Sequence, residues 1–144
     1  MGGYNLSAFM AQNAMQPEEI EFVASKRFVD ENGKPIPWKI RCITSTEDEV
    51  IRKACTKKVP IPGKRNQYTQ EVDYNLYLGK LAVACTVFPD LNDAELQDSY
   101  GVMGADVLLK TMLTPGEYVN YLTKIQELNG FDVDMQDLVD EVKN

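Results

Sequence analysis

The sequence predicts an α+β protein, predominantly helical, with one antiparallel β-hairpin packed on a bundle of about five helices. Three observations carry this. An Asn32-Gly33 reversal is flanked by alternating apolar residues. Several apolar stripes recur at i, i+3, i+4 spacing. Ser/Thr/Asn residues stand three positions ahead of Glu at the start of those stripes. At 144 residues the chain suits one domain with one core. It divides into an N-terminal helical arm (1–19), a hairpin (20–44), a helical core (45–130) and an acidic C-terminal helix (131–144).

Leu6, Phe9 and Met10 give the arm a short apolar stripe, free to dock on its own domain or on another chain, and residues 13–17 break it. Ile20, Phe22 and Ala24 then alternate with polar residues. After the Asp30–Gly33 turn, Trp38, Ile40 and Cys42 alternate again, with Pro35 and Pro37 near the strand start, where a missing N–H is tolerated. Two strands alone are marginal, so helices or another chain should cover the Trp38 face.

Thr46 and Glu49 form a capping box opening a helix with Val50, Ile51, Ala54 and Cys55 inward, and Lys57 and Lys58 at its C-terminal end suit the dipole. Residues 59–67, with Pro60, Pro62 and Gly63, read as flexible. A central helix is expected from Thr69 to Val87, apolar round most of its circumference and stopped by Pro89. Asn92 with Glu95 caps a short helix to Tyr100. Val107, Leu108, Leu109 and Met112 follow Gly104. Thr114, Pro115 and Glu117 start a helix that Asn129-Gly130 closes. Met135, Leu138, Val139 and Val142 give the last segment amphipathic spacing.

Composition narrows function. There is no His, so Ser-His and Cys-His nucleophiles and imidazole metal ligands are excluded. The three cysteines, Cys42, Cys55 and Cys85, are odd in number and form no Cys-x-x-Cys pair; they read as buried thiols of a reducing compartment. No apolar run approaches the ~20 residues that span a bilayer, and residues 1–16 lack the basic start of a signal peptide, so the expected site is the cytoplasm. Gly63-Lys64 lacks the first glycine and the Ser/Thr of a phosphate loop, and the Asp-rich stretches miss calcium-loop spacing. The tail carboxylates follow the solvated side of amphipathic helices. The cluster Tyr74, Tyr77, Tyr100, Tyr118 and Tyr121 falls at core-edge helical spacing, although such rings also stack bases. No enzyme signature and no cofactor motif survive.

Charge is the informative feature. Residues 1–51 are net −3, 52–87 net +5 and 88–144 net −9, for −7 overall. Arg52, Lys53, Lys57, Lys58, Lys64 and Arg65 fall within fourteen positions without one acid among them. They read either as a solvated loop balanced by an acidic face or as a docking surface for an acidic partner segment. A pI near 4.6 argues against nucleic acid, because phosphate binding draws on a positive domain-wide balance.

The stretches Phe22 to Phe28, Pro37 to Ile40, Tyr74 to Tyr77, Phe88 to Val102 and Leu108 to Tyr118 resemble the XkdN-like family of phage tail assembly chaperones, the run Phe88–Tyr118 being the most specific. The resemblance implies a non-enzymatic accessory protein encoded between the tail-tube and tape-measure genes and absent from the finished virion. Such a protein would bind the tape-measure protein and help recruit tail-tube subunits, and in several such families a frameshift yields a longer form. It transfers no active-site residue. The competing reading is a small phage-encoded nucleic-acid-binding or regulatory protein using residues 52–65. A homodimer through the open hairpin edges is a further expectation.

Overall fold

The structure, a computed structural model, describes residues 5–131. The expected acidic helix beyond Phe131 lies outside the described residues. The α+β architecture is the one predicted: five α-helices with small antiparallel sheets. Strand β1 (Ile20–Phe22) pairs with β2 (Trp38–Ile40) in the register Ile20 opposite Ile40 and Phe22 opposite Trp38. The turn between them works as its sequence demands. The Asp30 carboxylate accepts from the N–H groups of Asn32 (2.8 Å) and Lys34 (3.0 Å), and Gly33 supplies φ +77°.

Two segments expected to be helical or flexible are strands instead. Thr56–Pro60 (β3) pairs antiparallel with Tyr68–Val72 (β4), replacing the predicted helix end at Lys57-Lys58, the first two residues of the loop 59–67 and the predicted start of the central helix, while residues 61–67 remain a loop. β-Branched and aromatic residues favour the pleated state here. Gly63 at φ +77° and Asn66 at φ 59° turn the chain. The hairpin is closed at its root where the Asp73 N–H donates to the Cys55 carbonyl at 2.8 Å. The remaining helix, α2 (Tyr74–Cys85), is capped by Asp73, whose carboxylate accepts from Leu76 N–H at 3.2 Å. It ends before Thr86, and Thr86–Phe88 (labelled β5) joins β2 as the third strand of the first sheet, in the order β1-β2-β5. The predicted hairpin thus becomes a three-stranded sheet, and its Trp38 face is covered by the helices, as expected. The region 45–130 is a helical core interrupted by three strands.

The other helices follow their start signals, some displaced. The box for α1 (Ser45–Ala54) is Thr44 with Glu47, two residues before the expected pair. Helix α3 (Ala94–Ser99) is capped by Asp93, adjacent to the expected Asn92. Helix α4 (Ala105–Met112) starts from Gly104 at φ +114°. For α5 (Pro115–Leu128) the box Thr114/Glu117, Pro115 in the first turn and the Asn129-Gly130 terminus all stand as read. The arm holds a 3₁₀ turn, Leu6–Phe9, with Leu6 and Phe9 about three-quarters exposed.

Helix α2 lies at the centre, against α1, α4, α5 and β5. Trp38, Ile40, Tyr77, Leu81, Ala82, Cys85, Leu108, Leu109, Tyr121 and Ile125 are all at most 2% exposed and form one core. The Trp38 and Tyr121 rings meet edge-to-face at 5.2 Å, tying the sheet to α5, and the Tyr121 hydroxyl lies 2.6 Å from Thr86 Oγ1. Gly79 faces α5 so closely that a Cβ there would sit 3.2 Å from the Tyr118 hydroxyl. Cys55 and Cys85 are buried as expected. Cys42 is only half-buried, its thiol donating to the Leu128 carbonyl at 3.1 Å.

Removing Trp38 should open a cavity at the centre: Trp38→Ala is expected to cost about 3–5 kcal/mol in urea unfolding. Val50 and Ala54, read from the sequence as inward, are exposed on α1, so Val50→Ala should stay within about 0.5 kcal/mol. A second expectation concerns acid. The Glu117 carboxyl is held down to about 2, chiefly by the Thr114 N–H, then by the Ser25 hydroxyl, with smaller help from the Thr114 hydroxyl and Arg27. A carboxylate depressed on folding stabilises above its ordinary 4.5, and that stabilisation is lost as pH falls towards about 2. Urea midpoints should therefore drop through this window, and Glu117→Gln should flatten the drop. An unchanged slope would contradict the assignment.

Candidate interaction surfaces

The six cations singled out by sequence do not form one patch. Arg52, on α1, is turned onto the body. Its Nε donates to Asp48 Oδ2 at 2.9 Å and its Nη2 to the Tyr77 hydroxyl at 3.2 Å, and its guanidinium lies 4.4 Å from the Tyr77 ring centre. The Tyr77 hydroxyl in turn donates to Asp48 Oδ1 at 2.5 Å. Burial alone would raise the Asp48 carboxyl, yet the bonds from Tyr77 and Arg52 outweigh it and hold the group below its usual range. Burial, followed by the bond to Asp48, pushes the Tyr77 hydroxyl well above its usual range. This network fastens α1 to α2. Lys53 pairs with Glu49 at 3.3 Å across an exposed helix turn.

The other four cations belong to the β3–β4 hairpin. Lys57 and Lys58 are consecutive on β3 and so face opposite sides of the ribbon, Lys57 across from Glu71 and Lys58 across from Gln70. Lys64 and Arg65 stand at the tip. All four are exposed, and among the described residues none makes an ion pair within 4 Å. Glu71 is the one acid of residues 56–72. Tyr68, opposite Pro60, is 58% exposed. The hairpin is a cationic projection on a chain of net charge −7.

A second surface was not visible in the sequence. Phe28, Ile36 and Trp38 from the first hairpin meet Phe88 at the end of β5, Pro89 just after it, Leu96 of α3 and Met112 of α4 around an open cleft of about 150 Å³. Its lining is almost wholly carbon. Phe88 at its rim is half exposed, and Val87 beside it is 39% exposed. Four separate segments build this cleft, so no local periodicity announces it. The one signal was that Phe88-Pro89 opens the stretch carrying the family resemblance.

Burial pushes the Cys85 thiol to about 11, and burial also raises Cys55, so both stay protonated and poorly nucleophilic at neutral pH. Among the described residues no group of three or more His, Cys, Asp or Glu is placed to hold a metal ion. No helix among them is long and apolar enough to cross a membrane.

An apolar cleft and a cationic hairpin are thus the two surfaces that stand out among the described residues. Comparison with known proteins gives the class: residues 6–143 match the family of Phage XkdN-like tail assembly chaperone proteins, and the chain belongs to it. Two relatives come from Bacillus subtilis strain 168. The uncharacterized protein YqbN is 34% identical over 142 residues, covering 98% of this chain and 94% of YqbN. The phage-like element PBSX protein XkdN is 32% identical over 142 residues, covering 98% of this chain and 95% of XkdN. The crystal structure of YqbN superposes with a TM-score of 0.77 at 32% identity, over 91% of this chain and 100% of that chain.

The two groups of cations should separate by measurement. Arg52→Ala is expected to lower stability by about 1–2 kcal/mol, because it strips a charged partner from Asp48 and Tyr77. The pair Lys64→Ala and Arg65→Ala should stay within about 0.5 kcal/mol in the same urea titration.

Proposed function

We propose that the chain is a non-catalytic tail assembly chaperone that holds an apolar segment of the tape-measure protein and helps bring tail-tube subunits to it. In this reading it works in the host cytoplasm and does not remain in the finished virion. The observation that carries the proposal is the open, carbon-lined cleft around Trp38, Phe88 and Met112, with Phe88 half exposed at its rim. Amphipathic helices dock into such grooves through i, i+3, i+4 anchors, and a long helical client would aggregate with those anchors bare. The strong negative charge keeps the pair soluble, and the hairpin cations Lys57, Lys58, Lys64 and Arg65 pair with acidic stretches of the client or of tube protein. Open edges at β1 and β5 offer a second copy a pairing route to a homodimer.

Co-purification with the tagged tape-measure protein encoded nearby tests this. Phe88→Asp places a charge at the cleft rim, at a site exposed enough to leave folding intact, and should cut retention by about tenfold or more. Reversing Lys57, Lys58, Lys64 and Arg65 to Glu should weaken retention and remove its salt dependence. Wild-type retention by both variants would overturn the proposal. So would tight binding of generic duplex DNA that collapses between low and moderate salt, which points to a nucleic-acid regulator.

A further inference from the structure

The ladder of the β3–β4 ribbon fixes which of its backbone groups are committed. At its root the Asp73 N–H donates to the Cys55 carbonyl at 2.8 Å, and near its tip the Ile61 N–H donates to the Gln67 carbonyl at 3.0 Å. Bonded and non-bonded pairs alternate along an antiparallel ladder, so the bonded pairs between these ends are Lys57–Glu71 and Val59–Thr69. In the pairs Thr56–Val72, Lys58–Gln70 and Pro60–Tyr68 the N–H and C=O groups therefore point away from the partner strand. Among the described residues this sheet holds two strands, so those groups line two open edges. The edges are not equal. On β3, Pro60 brings no N–H, and the consecutive Lys57 and Lys58 charge the strand; both features discourage a further strand. On β4, Tyr68, Gln70 and Val72 present three outward donors in unbroken register over five residues, about 17 Å. That edge has no proline, glycine or bulge, and Tyr68 to Glu71 are exposed. The outer strands of the other sheet, β1 and β5, have three residues each.

We infer that the outer edge of β4 takes up an extended acidic segment of a partner protein as a third, antiparallel strand. The strand geometry stands on the ladder alone; that the partner is acidic rests on the proposed function and on charge. Residues 56–72 hold Lys57, Lys58, Lys64 and Arg65 against Glu71. The same balance argues against a second copy on this edge, which would bring two cationic ribbons together. The ribbon also dictates where the acids stand. Residues opposite one another share a face, so partner residues opposite Tyr68, Gln70 and Val72 lie on the face of Lys58. Those opposite Thr69 and Glu71 lie on the other face, where Glu71 is their immediate neighbour and repels an acid. On the Lys58 face the neutral Gln70 intervenes, and the lysine is two strand spacings away, about 10 Å. Lys64 and Arg65 extend the attraction beyond Tyr68 at the tip. The partner's acids therefore alternate with uncharged residues, and the acids are the residues whose own N–H groups bond to β4. Backbone bonds supply affinity in such an addition, and alternate side chains supply selectivity.

Fluorescence anisotropy with an end-blocked heptapeptide of alternating threonine and glutamate, threonine first, tests this on the full chain at low salt. Two further forms carry backbone N-methyl groups, one on the three glutamates and one on three of the threonines, so all three peptides have the same charge. The plain and N-methylthreonine peptides should bind within about threefold of each other, and the N-methylglutamate peptide about tenfold or more weakly, having lost the N–H groups that meet β4. Any other ranking, or no binding by any of them, overturns the inference. Gln70→Pro removes one outward donor of β4 without removing a β3–β4 bond. It should weaken the plain peptide about tenfold while the urea midpoint stays near wild type, and unchanged affinity overturns the inference. Should that variant fold poorly, the methylated peptides decide the matter on the wild-type chain. A peptide with glutamine in place of glutamate should bind about tenfold more weakly. Equal binding by it overturns the acidic partner, whereas equal binding by the N-methylglutamate peptide leaves the acidic partner standing and overturns strand addition. Dimers in sedimentation that Gln70→Pro disperses would put a second copy on the edge and overturn the inference as well.

Discussion

The fold depends on one junction, where the Trp38 and Tyr121 rings meet edge-to-face at the end of α2. Trp38 brings the sheet into the core and Tyr121 brings α5; both are almost fully buried, and Tyr121 reaches Thr86, the first residue of β5. Without that contact the three short strands would be a marginal ribbon. With it, β2 is pinned to the bundle, and β5 can lie on it only if α2 stops at Cys85. The cleft follows from the same constraint. It opens where Trp38, Phe88 and Met112 converge, so the surface proposed to receive a client is the outer margin of the core itself.

Much of this was legible in the residues, and what was not has identifiable causes. Asn32-Gly33, the box Thr114/Glu117 and the terminus Asn129-Gly130 act within a few residues of themselves, and they stand where the sequence places them. The box at α1 and the cap at α3 slipped because several Ser, Thr, Asn and Asp residues stand side by side, each able to cap. The larger error was the pair of segments 56–60 and 68–72 that flank the loop. Lysines at a helix end suit the dipole as well as they suit an exposed strand, and Val72 fits both periods. The choice is made by the pairing of two segments and by Asp73, which bonds Leu76 N–H as cap and donates its own N–H to Cys55. Thr86–Phe88 was read as helix for a related reason: its partner, β2, lies far back in the chain.

The candidate surfaces divide in the same way. Charge counting found the cations of the hairpin, because net charge needs no geometry. It did not separate Arg52 from the rest, since the Asp48–Arg52–Tyr77 network closes only when α1 lies on α2. The cleft was invisible, being made of residues from four segments whose apolar character reads equally well as core. The surface proposed to receive a client lies in the margin of the packing, where no motif marks it.

The central claim is that a client segment seats in the cleft beside Trp38. Hydrogen–deuterium exchange of the chain, alone and saturated with a tape-measure fragment, addresses it directly. The account predicts new protection concentrated in residues 28–38, 86–96 and around Met112, with the outer face of α1 unchanged. Protection that bypasses all three cleft segments and falls elsewhere would contradict it.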